Sequence, residues 1–259
     1  MTGTPHATLV GGPTLLLEYA GLTFLTDPTF DPPGQVGNLT KLEGPAMSHG
    51  DIGPIDVVLL SHDEHEDNLD VSGRVLLDEV PHVLTTPSGG TRIGRAQGMR
   101  RWDQAIIPGG SAPVTITAVP ARHGPSVIKH LTGQVTGFVL EAEDWPTIYI
   151  SGDNSSVKKA TRVAERFPDV AVAFVFAGGA KVERFGDMLL TADAERTHRI
   201  GALWPQATVY PVHIDDWAHF AQPREDLVAW FEEAGEIEAI TLLERGERVA
   251  LPSEVRAAS

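Results

Sequence analysis

The chain has 259 residues, with 20 Lys and Arg against 35 Asp and Glu for a formal charge of −15, ten His and no Cys. Without thiols there is no disulfide framework, Cys-ligated zinc, iron–sulfur cluster or cysteine nucleophile, so a transition-metal site must be built from His and carboxylates. The acidic balance argues against a broad surface tracking nucleic-acid phosphates, and no stretch approaches the roughly 18 apolar residues of a membrane span, so a soluble cytoplasmic protein is expected.

In chain order, Ala7–Val10, Thr14–Tyr19 and Leu22–Thr26 are apolar, β-branched runs separated by Gly11-Gly12 and Ala20-Gly21, the pattern of a hairpin or meander. Residues 30–50 hold Pro32, Pro33, Gly34, Gly37, Gly44 and Pro45 without periodicity, which predicts a long loop of the kind that shapes binding sites. Asp56–Ser61 (DVVLLS) is nearly continuous in apolar residues, as a strand buried on both faces is. Further strands are expected at Val83–Thr85, Val114–Val119, Val135–Leu140, Thr147–Ser151, Val170–Phe176, Thr208–Val212 and Ile240–Leu243. Helices are expected at Val71–Glu79, Ser155–Phe167, Ala192–Leu203 and Arg224–Ala234, the last three started by Asn154, Thr191 and Gln222-Pro223. No linker or repeat interrupts this alternation, which predicts a single α/β domain over residues 1–259. The most basic run, Arg95–Trp102, reads as a solvated loop or helix face.

The commonest serine-hydrolase, P-loop and dinucleotide signatures are absent. The informative segment is Ser61-His62-Asp63-Glu64-His65-Glu66-Asp67-Asn68-Leu69-Asp70, directly after a buried strand, where open α/β sheets place their ligands. Imidazole suits zinc and its neighbours, and carboxylates add harder oxygen ligands; taken alone, the segment also reads as an acidic helix start favoured by the helix dipole. Three more predicted strands each deliver a candidate ligand at their ends: Ala121-Arg122-His123, Ser151-Gly152-Asp153 and Pro211-Val212-His213. Four such sites at strand ends are hard to assign to chance.

With Leu25-Thr26-Asp27-Pro28 and Trp217-Ala218-His219-Phe220 added, the ordered set resembles the metallo-β-lactamase superfamily, and more closely its branch similar to the ascorbate-6-phosphate lactonases. The resemblance implies a four-layer αβ/βα sandwich of two packed mixed sheets flanked by helices, with a metal site at the edge between the halves. It implies a ligand set of His62, His65, Asp67, Asn68, His123, Asp153 and His213, with Asp27 as a supporting carboxylate that orients a ligand imidazole. The sequence departs from the family's H-x-H-x-D-H motif twice: His62 and His65 are three apart rather than two, and Asn68 stands where the final His is expected. A tight turn would let both His reach one metal, whereas an amide oxygen is a poorer ligand than imidazole for zinc. A dinuclear site with one weak position, a mononuclear site and lost metal binding all follow from these departures.

The function so implied is a metal-dependent hydrolase of a small, anionic substrate, a lactone or phosphorylated compound, using one or two divalent ions, zinc first and manganese second. A bound ion brings the pKa of water to about 7; Asp67 would orient that water, and His219 or Arg122 would stabilise developing negative charge. The alternatives are a phosphodiesterase or nuclease of the same superfamily and a non-catalytic metal- or ligand-binding protein on this fold. The remaining His6, His49, His82, His130 and His198 bear no consistent spacing to the cluster and read as structural or surface residues.

Overall fold

The structure, a computed structural model, describes residues 3–253. β1 (His6–Gly11), β2 (Thr14–Tyr19) and β3 (Leu22–Thr26) form the expected antiparallel meander. Its second turn has positive φ at both Ala20 (52°) and Gly21 (78°), the backbone that matches the twist of a two-residue hairpin. The long loop that follows is not structureless: β4 (Gly34–Val36) and β5 (Leu39–Lys41) pair as a short hairpin. β6 (Val57–Leu59) then runs parallel to β3 and leads through the His/Asp segment into α1 (Val71–Leu76). Asp70 caps α1, its Oδ1 accepting from Gly73 N at 2.8 Å, while its Oδ2 meets the buried Lys41 ammonium at 3.3 Å. Lys41 also donates to the Thr29 carbonyl, so the hairpin is fastened from inside to the segment after β3 and to the start of α1.

β7 (His82–Thr85), α2 (Pro87–Ile93) and β8 (Gln97–Gly98) complete this half. The sequence reading missed α2 because Gly89 and Gly90 lower its helix propensity. Its start signals are nevertheless present: Thr86 Oγ1 accepts from Gly89 N, and Pro87 occupies the first turn. The glycines are required by close packing, since a Cβ on Gly90 would lie 2.6 Å from Gly98 N.

The second half is built from β9 (Gln104–Ile107), β10 (Val114–Pro120), β11 (Thr136–Glu141), β12 (Thr147–Ile150), α3 (Val157–Ala164), β13 (Val170–Phe176), α4 (Ala194–Gly201), β14 (Thr208–Val212) and α5 (Arg224–Glu233). The chain then returns to the first sheet, where β15 (Arg248–Ala250) pairs with β1. The seven-stranded sheet has the order β15-β1-β2-β3-β6-β7-β8, the six-stranded sheet β14-β13-β12-β11-β10-β9, and both mix parallel with antiparallel pairs.

Period-two alternation decides the layering. Along β13, Val172, Phe174 and Phe176 face the other sheet, where Leu17, Phe24 and Leu59 meet them. Ala173 and Val175 face outward against Val163, Ile200 and Trp204 of the α3–α4 side. On the far side Leu25, Val58 and Leu60 pack under Leu76 and Leu77. The result is the expected four-layer sandwich. One expected element is absent: Ile240–Leu243 is not a strand. Its apolar residues are satisfied by packing, with Leu243 buried between the sheets and Thr241 N donating to Val209 O at 2.8 Å, and no ladder forms. Asn154 and Thr191 do not cap their helices; Ser156 and Asp193 occupy those positions. Among the described residues, no helix is long and apolar enough to cross a membrane.

Because β3 and β6 are parallel, as are β12, β13 and β14, and β10 runs with β12 through antiparallel β11, their C-terminal ends reach one edge of the sandwich. Asp27, the 61–68 turn, His123, Asp153 and His213 all follow directly from those ends.

Candidate metal centre

The three-residue spacing of His62 and His65 is absorbed by a tight turn in which Asn68 N and Leu69 N both donate to the His65 carbonyl. The two imidazoles stand perpendicular to each other, with His62 Nε2 2.9 Å from His65 Nδ1. His62 is fixed from behind by the Ser61 hydroxyl, 2.9 Å from its Nδ1, a contact absent from the sequence reading although Ser61 is its immediate neighbour. Asp63 turns away from the centre into a bidentate pair with Arg92.

Two groups of candidate ligand atoms form. His62, His65, His123 and Asp153 place one atom each within 4.8 Å of one another, as do Asp67, Asp153 and His213, so Asp153 is common to both. His123 Nδ1 is 3.0 Å from the Leu190 carbonyl, which can only accept; that nitrogen therefore carries the proton and Nε2 is left as a ligand atom. His213 Nε2 lies 3.4 Å from Asp67 Oδ2 and 3.7 Å from Asp153 Oδ1 without hydrogen-bond geometry to either. Both His213 (φ 56°) and Asp27 (φ 30°) have left-handed backbone, which non-glycine residues rarely adopt and which recurs at functional sites.

The electrostatics fit a cation. Burial, reinforced by the positive forms of the neighbouring imidazoles, holds His62 well below its usual range and His123 at about 3, so both are neutral donors. Burial, then the negative charges of Asp67 and Asp27, push Asp153 well above the carboxylate range. Asp67 feels the same burial, but the His219 hydrogen bond and the close His213 imidazole outweigh it and hold the group well below that range. Asp153 Oδ2, Asn68 Oδ1 and both His213 nitrogens are buried without partners. Crowded carboxylates, neutral imidazoles and orphaned polar atoms together are costly unless a metal occupies the space between them.

Asn68 is brought to the centre in a different manner from a ligand histidine. Its amide nitrogen donates to Asp153 Oδ1 at 3.3 Å, while its amide oxygen is unpartnered. Asp27 does not orient an imidazole directly; its Oδ1 accepts from Ser61 N at 2.6 Å and so anchors the backbone beside His62. Burial raises Asp27 to about 8. His6, His49, His82, His130 and His198 stand outside both ligand groups.

His219 Nε2 is 3.0 Å from Asp67 Oδ2. It is expected to hold that carboxylate in position, so His219→Ala should retain bound metal at ordinary concentrations yet lower kcat/KM by about 10–100-fold, the usual cost of losing a partner that orients a ligand. Metal content and steady-state kinetics on one preparation check this; unchanged kcat/KM would remove His219 from the machinery.

The centre opens into a mouth of about 580 Å³, lined by Leu39 of the hairpin, Leu131, Val182, Phe185 and Leu190 together with Glu64, Glu66, Glu183 and His219. Among the described residues lining it, Arg184 is the one permanent cation. Arg122, expected to face the reaction, does not line the mouth; its guanidinium donates to Gly124 O and Ser126 Oγ on the other side of the His123 segment.

Residues 23–214 match the family model described as a beta-lactamase superfamily domain. A UPF0173 metal-dependent hydrolase from Anaeromyxobacter dehalogenans is 26% identical over 247 residues, covering 91% of this chain and 81% of the relative. The crystal structure of isothiocyanate hydrolase from Delia radicum gut bacteria matches with a TM-score of 0.82 at 24% identity, over 96% of this chain and 99% of that one. That of a possible metal-dependent hydrolase from Veillonella parvula matches with a TM-score of 0.83 at 20% identity, over 96% of this chain and 100% of that one.

Proposed function

The chain belongs to the beta-lactamase superfamily domain family, and from that premise we propose that it is a metal-dependent hydrolase of a small substrate whose reacting carbon is uncharged and whose remainder is apolar. The observation that carries this reading is the sharing of Asp153 between two buried ligand groups at the floor of an apolar, acid-rimmed mouth. His62, His65, His123 and Asp153 would hold one ion, and Asp67, Asp153 and His213 a second, with zinc suited to the imidazole-rich group and manganese to the carboxylate-rich one. Such ions supply an acidified water at neutral pH and a Lewis acid for the atom that gains charge.

The chain's own residues do the rest. Leu39, Leu131, Phe185 and Leu190 take up the carbon skeleton and exclude water. Asp67 and His219 form a carboxylate–imidazole pair in which His219 Nε2 donates to Asp67 Oδ2 and so holds the carboxylate oriented beside the mouth. Glu66 and Glu183, which unlike the Arg92-paired Glu64 have no ion-pair partner among the described residues, oppose an anionic substrate at the rim, which favours the lactone of the sequence reading over a phosphorylated compound. An isothiocyanate, the substrate class named for the structural neighbour, likewise carries an electrophilic carbon on an uncharged skeleton.

Purification without chelator, metal analysis and assay on lactone, isothiocyanate and phosphodiester panels test the proposal. Turnover of an uncharged substrate, lost on chelation and restored by zinc or manganese, is expected. Less than about a tenth of an ion per chain with no turnover after metal addition would overturn it.

A further inference from the structure

The run Arg95–Trp102, read from sequence as a solvated face, instead contributes Arg100 and Arg101 to one wall of a second cleft of about 440 Å³. Arg122 and Lys129 come from the segment after β10, and Lys159 from the first turn of α3. Among the described residues lining the cleft there is no Asp or Glu, and its floor is apolar, with Met99, Val119 and Pro120. Beyond Arg122 and Lys159 a smaller hollow of about 180 Å³ continues the same surface with Lys158 and Arg162.

Three features separate this from a face of ordinary surface cations. In a chain with 35 acids against 20 bases, none of these seven cations lies within ion-pair distance of a carboxylate among the described residues; Arg74, Arg95, Arg166 and Arg184 also lack such a partner, but they do not line this surface. The cations share one field: burial lowers the Lys159 ammonium, and the positive charges of Arg162, Arg101, Arg122 and Lys129 lower it further. Finally, the first turn of α3 carries Lys158 and Lys159 and no acid, and the Ser156 side chain does not cap it. Lysines at a helix N-terminus oppose the helix dipole, so this arrangement lowers the stability of the helix while raising the positive potential in the cleft.

We propose that the cleft is an anion-binding site, distinct from the hydrolytic mouth, for a small organic molecule bearing a phosphate or comparable multiply charged oxyanion. The guanidinium groups of Arg100 and Arg101 give the forked donors that oxyanions accept, Arg122, held by Gly124 O and Ser126 Oγ, and the lysines add charge, and the apolar floor takes the uncharged part of the occupant. The site is coupled to the centre by a shared wall: His123 lines both spaces, and in the segment that follows, Leu131 faces the mouth while Lys129 and Gly133 face the cleft. An occupant therefore braces the segment that carries a candidate metal ligand. This inference does not rest on the hydrolase reading, because a binding measurement decides it.

The test is titration calorimetry of the metal-loaded protein with pyrophosphate, AMP and citrate, and with a short oligoribonucleotide, at about 50 and about 200 mM salt. Pyrophosphate or AMP is expected to bind, to weaken with salt, and to bind at least tenfold more weakly to Arg101→Glu/Lys129→Glu and to Lys159→Glu. The last change puts an acid where the α3 dipole favours one, so it keeps the test open if the double variant fails to fold. Citrate binding with the same losses would widen the occupant to polycarboxylates within the stated chemistry. Absence of binding by all three small anions, or affinity unchanged in the variants, as binding at the metal centre would give, overturns the proposal. So does binding confined to the oligoribonucleotide, which would make the cleft a nucleic-acid surface.

Discussion

Asp153→Ala is expected to lower kcat/KM by roughly 10³-fold or more and to empty most of the bound metal, because it removes the oxygen donors common to both ligand groups and with them the charge stabilisation the ions supply. The same substitution should leave the metal-free protein at least as stable as the parent. In the fold Asp153 is buried beside Asp67 and Asp27, with one oxygen unpartnered, so its ionised form is a cost that only a cation offsets. Activity and stability therefore move in opposite directions, which a general unfolding defect would not produce. Parallel kinetics, metal analysis and thermal unfolding, with Asp153→Asn as a volume-matched comparison, check it. Retained turnover in Asp153→Ala would remove the shared carboxylate from the mechanism.

The second large effect is on stability. Lys41→Ala is expected to cost about 3–5 kcal/mol, since it strands the buried Asp70 carboxylate without its ammonium partner. In a domain of this size that corresponds to a fall in Tm of about 10 °C. Burial lowers the Lys41 ammonium, but Asp70, Asp216 and Asp31 act to keep it charged, so the pair is a true ion pair inside the fold. The double variant Lys41→Met/Asp70→Asn should lose much less than the sum of the single changes, because no unpaired charge then remains. Urea unfolding of the set measures the coupling; additive losses would contradict the pairing. Since Lys41 ends the hairpin that presents Leu39 to the mouth, the single variant should also raise KM more than it lowers kcat.

The parts of this architecture that sequence made legible are those written in continuous patterns. DVVLLS leads into the ligand turn, and Val170–Phe176 spans the sheet interior, because a strand buried on both faces leaves no polar positions. Ile240–Leu243 shows the reverse: a short apolar run fits a strand equally well whether or not a neighbour is available to pair with it. The strand actually present, Arg248–Ala250, is three residues long and half exposed, too short for alternation to register. At the site, residue type indicated the ligands but not their supports. Ser61 and Arg92 act through contacts that only the folded turn creates, and Asn68 takes its place from a carboxylate 85 residues away in sequence, Asp153. The direction in which Arg122 points, away from the mouth, follows from the path of the segment after β10, which no local pattern encodes.

β13 has a further consequence, for the biogenesis of the chain. Its seven residues, Val-Ala-Val-Ala-Phe-Val-Phe, are all buried between β12 and β14. During synthesis β12 is already present, but β14 emerges only after α4, so one edge of an uncharged, proline-free, strongly β-forming segment stays open in the interval. Pro168 and Asp169, directly before it, are the residue types that interrupt edge-to-edge stacking. Recovery of folded protein is therefore expected to depend on the race between α4–β14 docking and intermolecular pairing of β13, with slower, cooler expression favouring the native partner.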